Sequence, residues 1–149
     1  MNKGLYIGYK GKLEAYIYIW FSKKYRMVYV GETNNIYGVI GRGLQHIESG
    51  EGTLYNRVFE KGYDLYKIDD FILLSYPLPR EKKFLSEETS YRISVEYLIQ
   101  RKMIERRIVL DEPYCMISKV RPGIYTGLKR LDSIAEKIVD DFIDLYKKC

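Results

Sequence analysis

Cysteine is scarce in this chain: Cys115 and Cys149 are the only two, and the second is the last residue. Thiols so placed build no disulfide framework and offer no zinc-type ligand spacing, which fits a reducing compartment. Histidine is scarcer still, with His46 alone. Long hydrophobic runs are missing, as is a leader of basic residues followed by an apolar stretch. The sequence therefore predicts neither a transmembrane helix nor a signal peptide, and the expectation is an intracellular, cytoplasmic protein with no membrane partner. A two-metal catalytic centre needs several clustered acids, and no convincing cluster is present. No repeat, low-complexity tract or linker divides the 149 residues, a length that suits one domain over 1–149 with a real core.

Positive charge and tyrosine are what the chain does have. Lys and Arg number 25 against 20 Asp and Glu, a net charge of +5 that favours a polyanionic partner. The 16 tyrosines suit core packing, stacking or acid/base work, and composition does not choose among these. Runs rich in β-formers at 4–9, 13–21 and 25–31 predict an opening antiparallel meander. Residues 36–48 carry Ile36, Val39, Ile40, Leu44 and Ile47 at helical spacing, against which Gly38, Gly41 and Gly43 weigh about 1 kcal/mol each. A short helix follows at 53–61, then a strand at 70–78 ended by Pro77 and Pro79. Ser86 is placed to cap a long helix over 87–107, residues 111–127 read as irregular, and 129–148 form an amphipathic C-terminal helix. The order predicts an α+β (mixed α/β) fold: a small central, mostly antiparallel sheet of three to four strands flanked by helices.

The stretch AYIYIWFSKKYRMVYVGETNN (15–35) holds two alternating runs around a polar loop. Pairing them about Ser22–Tyr25 sets Ile17 against Val30 and Ile19 against Val28 on one face, and Tyr18 against Tyr29 on the other. Further on, Arg42 and His46 stand four residues apart, one turn of helix, with Arg42 between two glycines whose bare backbone lets another chain or a phosphate approach. Glu96 lies inside the apolar run ISVEYLI, pointing either to solvent or to the edge of a site.

At these residues the chain resembles the GIY-YIG nuclease family. Tyr16-Ile17-Tyr18 stands for the first motif and Tyr29-Val30-Gly31 for the second, followed by Glu32-Thr33-Asn34; Arg42 with His46 is similar to the family's Arg-x-x-x-His helix, and Glu96 to its metal-binding glutamate. The literal strings YIG at Tyr6–Gly8 and GIY at Gly123–Tyr125 come in the wrong order to make that hairpin. Met116 stands where the family often has asparagine, so a polar contact usual there is either missing or supplied by Ser118.

The resemblance implies a GIY-YIG-like fold and metal-dependent hydrolysis of phosphodiester bonds. Tyr18 would act as base or relay toward the attacking water, with Tyr29 sharing its network. Arg42 would stabilise the transition state, His46 orient the phenol or pass on its proton, and Glu96 hold one Mg²⁺ (or Mn²⁺) ion. The expected partner is DNA, with RNA left open. Basic side chains at Lys23, Lys24, Arg26, Arg101, Lys102, Arg106 and Arg107 are candidates for the nucleic-acid backbone. Restriction-type, structure-specific and viral or mobile-element nucleases all occur among small members. Cutting both strands with one site per chain calls for a homodimer or repeated nicking. The competing readings are a catalytically silent nucleic-acid-binding module of the same fold and an interaction protein with a tyrosine-rich sheet face.

Overall fold

The computed structural model describes residues 14–34, 52–86, 88 and 90–149. The strand expected at 4–9 and the helix expected at 36–48, with Arg42 and His46, lie outside the described residues. Strands β1 (Tyr16–Ser22) and β2 (Met27–Thr33) are followed by helix α1 (Thr53–Glu60), strand β3 (Ile72–Pro77), helices α2 (Lys82–Leu85) and α3 (Ser90–Arg106), the short β4 (Cys115–Met116) and the long α4 (Lys129–Lys148). The sheet order is β3-β1-β2-β4: β1 is antiparallel to both its neighbours and β4 runs parallel to β2. The α+β reading holds, with a parallel edge inside the segment expected to be irregular.

The hairpin register differs from the expected one by two residues. Ile19 faces Val30, Trp20 faces Tyr29, and Tyr18 faces Gly31 rather than Tyr29. The turn is Lys23–Arg26, with Arg26 in the left-handed region at φ 52°. What fixes it lies far away in sequence. Ser22 Oγ donates to Asp70 Oδ1 (2.6 Å) and accepts from Tyr25 N–H (3.1 Å), while Lys24 N–H donates to Asp70 Oδ2 (2.9 Å). Because the slip is by an even number, every side chain keeps its expected face.

Those two faces meet different layers. Ile17, Ile19, Phe21, Val28 and Val30 pack with Val95, Ile99 and Met103 of α3 and with Leu131, Ala135, Val139 and Phe142 of α4. Tyr16, Tyr18, Met27 and Tyr29 pack with Leu54 and Val58 of α1 and with Leu65. The apolar stripe of α4 is thus occupied by its own chain. Tyr76 Oη adds a polar tie by donating to Asp141 Oδ2 (3.0 Å). Ser86 does not cap the long helix: its backbone is extended, its hydroxyl donates to Glu88 O (3.2 Å), and α3 begins at Ser90.

The two-residue shift makes Gly31 indispensable. A Cβ there would collide with the phenol end of the Tyr18 side chain, 2.6 Å from Cε2 and closer still to Cζ and Oη. Gly31→Ala is therefore expected to cost about 1–3 kcal/mol in urea denaturation by displacing a packed ring; a stability matching the parent would show that the ring does not lie across this residue.

Candidate active site

Residues Val28 and Val30 point their backbone groups away from β1, toward the outer edge of β2. Beyond Met27 and Val28 no strand pairs with that edge among the described residues. Ile117 N–H donates to Val28 O (2.9 Å), and then side chains take over. Val30 N–H donates to Ser118 Oγ (3.1 Å), and Gln100 Nε2 reaches Val30 O at 3.5 Å and Ser118 Oγ at 3.2 Å. Ser118 thus supplies a polar contact at this edge, beside Met116. The carbonyl of Val30 belongs to the peptide that leads into Gly31, on whose other side the Tyr18 ring lies. Tyr18 and Tyr29 are near-parallel diagonal neighbours, ring centroids 6.4 Å apart and planes 12° from each other, and both are buried.

Glu96 comes to the same edge from α3. Gln100, one turn later, donates from Nε2 to Glu96 Oε1 (3.4 Å), which joins the carboxyl to the Val30 network. Glu96 is only 4% exposed. Burial is the main cause raising its pKa to about 7; Arg121 opposes the rise and the nearby Glu32 carboxylate adds to it. Arg121 Nη2 lies 3.5 Å from Glu96 Oε2, an ion pair too long to be a good hydrogen bond. Glu96 Oε2 and Gln100 Oε1 consequently have no hydrogen-bond partner among the described residues. Such orphaned oxygens are what a hard cation takes as ligands. No group of three or more His, Cys, Asp or Glu gathers among the described residues.

Arg92 was not marked by sequence reasoning. It is 2% exposed; Nε donates to Glu32 Oε2 (2.7 Å), and Nη1 donates to Phe84 O and Ser86 O (2.7 Å each). The guanidinium so ties the end of β2 to the α2–α3 connection, and Asn34 Nδ2 reaches the Leu85 and Ser86 carbonyls (3.3 Å each) in support. The available signal was position: Arg92 precedes Glu96 by four residues, on the same helix face.

Residues 119–125 lie antiparallel along α3 as a strap. Lys119 O accepts from Gln100 Nε2 (3.3 Å), Arg121 pairs with Glu96, and Tyr125 N–H donates to Ser94 Oγ (3.1 Å). Gly123 makes the close approach, since a Cβ there would stand 2.5 Å from Ser94 Cα. The literal GIY string thus belongs to the strap, far from the hairpin turn.

The basic candidates divide by partner. Lys102 pairs with Asp132 (2.9 Å) and Glu136 (2.8 Å), and Arg106 with Glu136 (3.2 Å) and Asp140 (2.6 Å), so both join α3 to α4. Lys23 donates to Tyr146 O (2.8 Å) and lies over that ring, and Arg107 Nη1 reaches Tyr114 O at 3.5 Å. Arg101 pairs with Glu105 (3.0 Å) and Lys24 with Asp69 (3.6 Å) at the exposed surface. Arg26, also exposed, accepts at its carbonyl from Cys115 N–H (2.7 Å).

Two measurements test these electrostatics. Glu96 is protonated in both folded and unfolded chains below about pH 4.5 and ionised in both well above pH 7, where only the folded state bears the desolvation cost. Parent stability relative to Glu96→Gln is therefore expected to fall by about 3 kcal/mol as pH rises across that window; a pH-independent difference would contradict the burial. Arg92→Met leaves Glu32 and two carbonyls without their partner and is expected to cost about 3–5 kcal/mol, whereas Arg101→Ala changes stability by less than about 0.5 kcal/mol in the same denaturation assay.

Comparison with known families matches residues 14–93 to the GIY-YIG catalytic domain, a span that includes Tyr18, Tyr29, Arg42 and His46 and stops short of Glu96. Comparisons with curated proteins and with solved structures find no match. The match covers more than half of the chain, from Glu14, just before β1, into α3. The chain belongs to the GIY-YIG family of nucleases.

Proposed function

We propose that this nuclease is a DNA endonuclease that hydrolyses phosphodiester bonds with one divalent cation, Mg²⁺ or Mn²⁺. The observation that carries the reading is Glu96, a buried carboxyl with an orphaned oxygen, joined through Gln100 to the peptide against which Tyr18 lies. When bound there, the cation would neutralise phosphoryl charge and stabilise the leaving oxygen. Tyr18 takes the proton of the attacking water or relays it, and its near-parallel neighbour Tyr29 shapes the same face. A phenol has an ordinary pKa near 10, so the field of a cation or a neighbouring base must draw its proton away at neutral pH. Arg42 stabilises the pentavalent phosphoryl group and His46 orients the phenol, the roles that the family resemblance implies for them.

Ser118, Gln100 and Arg92 act as positioning residues: they fix the β2 edge and Glu32, and through them the place of Glu96. Because the apolar stripe of α4 is covered by its own core, a homodimer able to cut both strands would form through another surface.

Plasmid and single-stranded DNA incubated with Mg²⁺ or with EDTA test the reading. Metal-dependent cleavage is expected in the parent and a loss of about 100-fold or more in Tyr18→Phe, Arg42→Ala and Glu96→Gln. Cleavage surviving Glu96→Gln and Arg42→Ala would overturn the site assignment, and DNA binding with no cleavage under any metal would favour a silent binding module.

A further inference from the structure

The geometry points to a binding site for one unpaired nucleotide in a groove between α2, the start of α3 and the strap. This inference deepens the nuclease reading and rests on it for the identity of the ligand as nucleic acid. The groove has a volume of about 340 Å³, within the range of small-molecule sites. Exposed Lys82 and Lys83 form one wall and Tyr91 and Tyr125 the other, their rings 4.8 Å apart and tilted at 61°. Lys83 Nζ lies 5.1 Å from the centre of the Tyr91 ring and 3.1 Å from its Oη. The ammonium therefore stands at the hydroxyl end of the ring rather than over its face, so a base can pack against the tyrosines while the lysine pairs with the adjoining phosphate. Glu88, also at the groove, accepts from Ser90 Oγ (3.1 Å) through Oε1 and remains exposed at the rim.

The groove is built onto the candidate active site. Tyr91 precedes Glu96 by five residues, about 7.5 Å along the helix axis and about 140° round it, and the strap spans that turn. Tyr125 is carried by the strap whose Arg121 pairs with Glu96. Ser86, which lines the groove, gives its carbonyl to Arg92, the partner of Glu32. A strand whose scissile phosphate sits at Glu96 and which follows the strap round α3 would bring a nearby nucleotide against the tyrosines, and stacking there requires that its base be unpaired.

The test is binding of fluorescent oligothymidylate and of a blunt duplex, by anisotropy in EDTA, where cleavage does not intervene. Lys82→Ala/Lys83→Ala is expected to weaken oligothymidylate binding about 10-fold and to flatten its salt dependence. Tyr125→Leu is expected to weaken the single strand at least 5-fold while changing the duplex by less than 2-fold. Unchanged oligothymidylate affinity in the double-lysine variant, or equal losses for the two DNAs in Tyr125→Leu, would overturn the site. The lysines are exposed, so their variant keeps the test decisive even where Tyr125→Leu fails to fold. The two readings fail separately: groove variants that bind normally in a protein that cuts DNA remove only the groove, and groove-dependent binding without cleavage removes only the catalytic reading.

Discussion

The outward-facing amide and carbonyl of Val30 impose the constraint from which the rest follows. A buried backbone group must be paired, and β4 ends too early to pair these two. Ser118 and Gln100 stand in for the missing strand. Ser118 brings the chain after β4 to the β2 edge, and Gln100 reaches the same edge from α3, whose rotation is set by the burial of Val95, Ile99 and Met103. With that rotation set, Glu96, one turn before Gln100, cannot point to solvent.

The same peptide joins two chemistries that belong to opposite faces of the sheet. The tyrosines pack on the α1 side and Glu96 arrives from the α3 side, so a site made of both can exist only at an edge where the sheet is open. Gly31 permits this, because its bare Cα lets the Tyr18 ring lie over the strand. Electrostatics then keep the edge tense. Glu32 is paired with Arg92, yet still repels Glu96, whose own counter-charge is the half-exposed Arg121. Burial without a close counter-charge is why this carboxyl holds its proton to a higher pH than an ordinary glutamate.

The faces of the hairpin were legible in sequence and its register was not, for one physical reason. Alternation has a period of two, so a two-residue slip leaves every apolar side chain on its correct face. Only the turn discriminates, and the turn is held by Asp70, which no local pattern connects to Ser22. Glu96 could be singled out because a carboxylate interrupts an apolar run, while Arg92 could be taken for an ordinary charge on the same helix. The acids that engage Lys102 and Arg106 stand about thirty residues downstream on α4, which makes interhelical ties look like free surface charge when read along the chain. β4 is two residues long, too short to carry any alternation.

The strap is pinned to α3 at a single close contact. Gly123 is pressed against Ser94, with Arg121 reaching Glu96 on one side of that point and Tyr125 meeting the Tyr91 ring on the other. A larger residue at 123 would lift the whole strap, so one bare Cα governs both the counter-charge of Glu96 and the packing of two tyrosines.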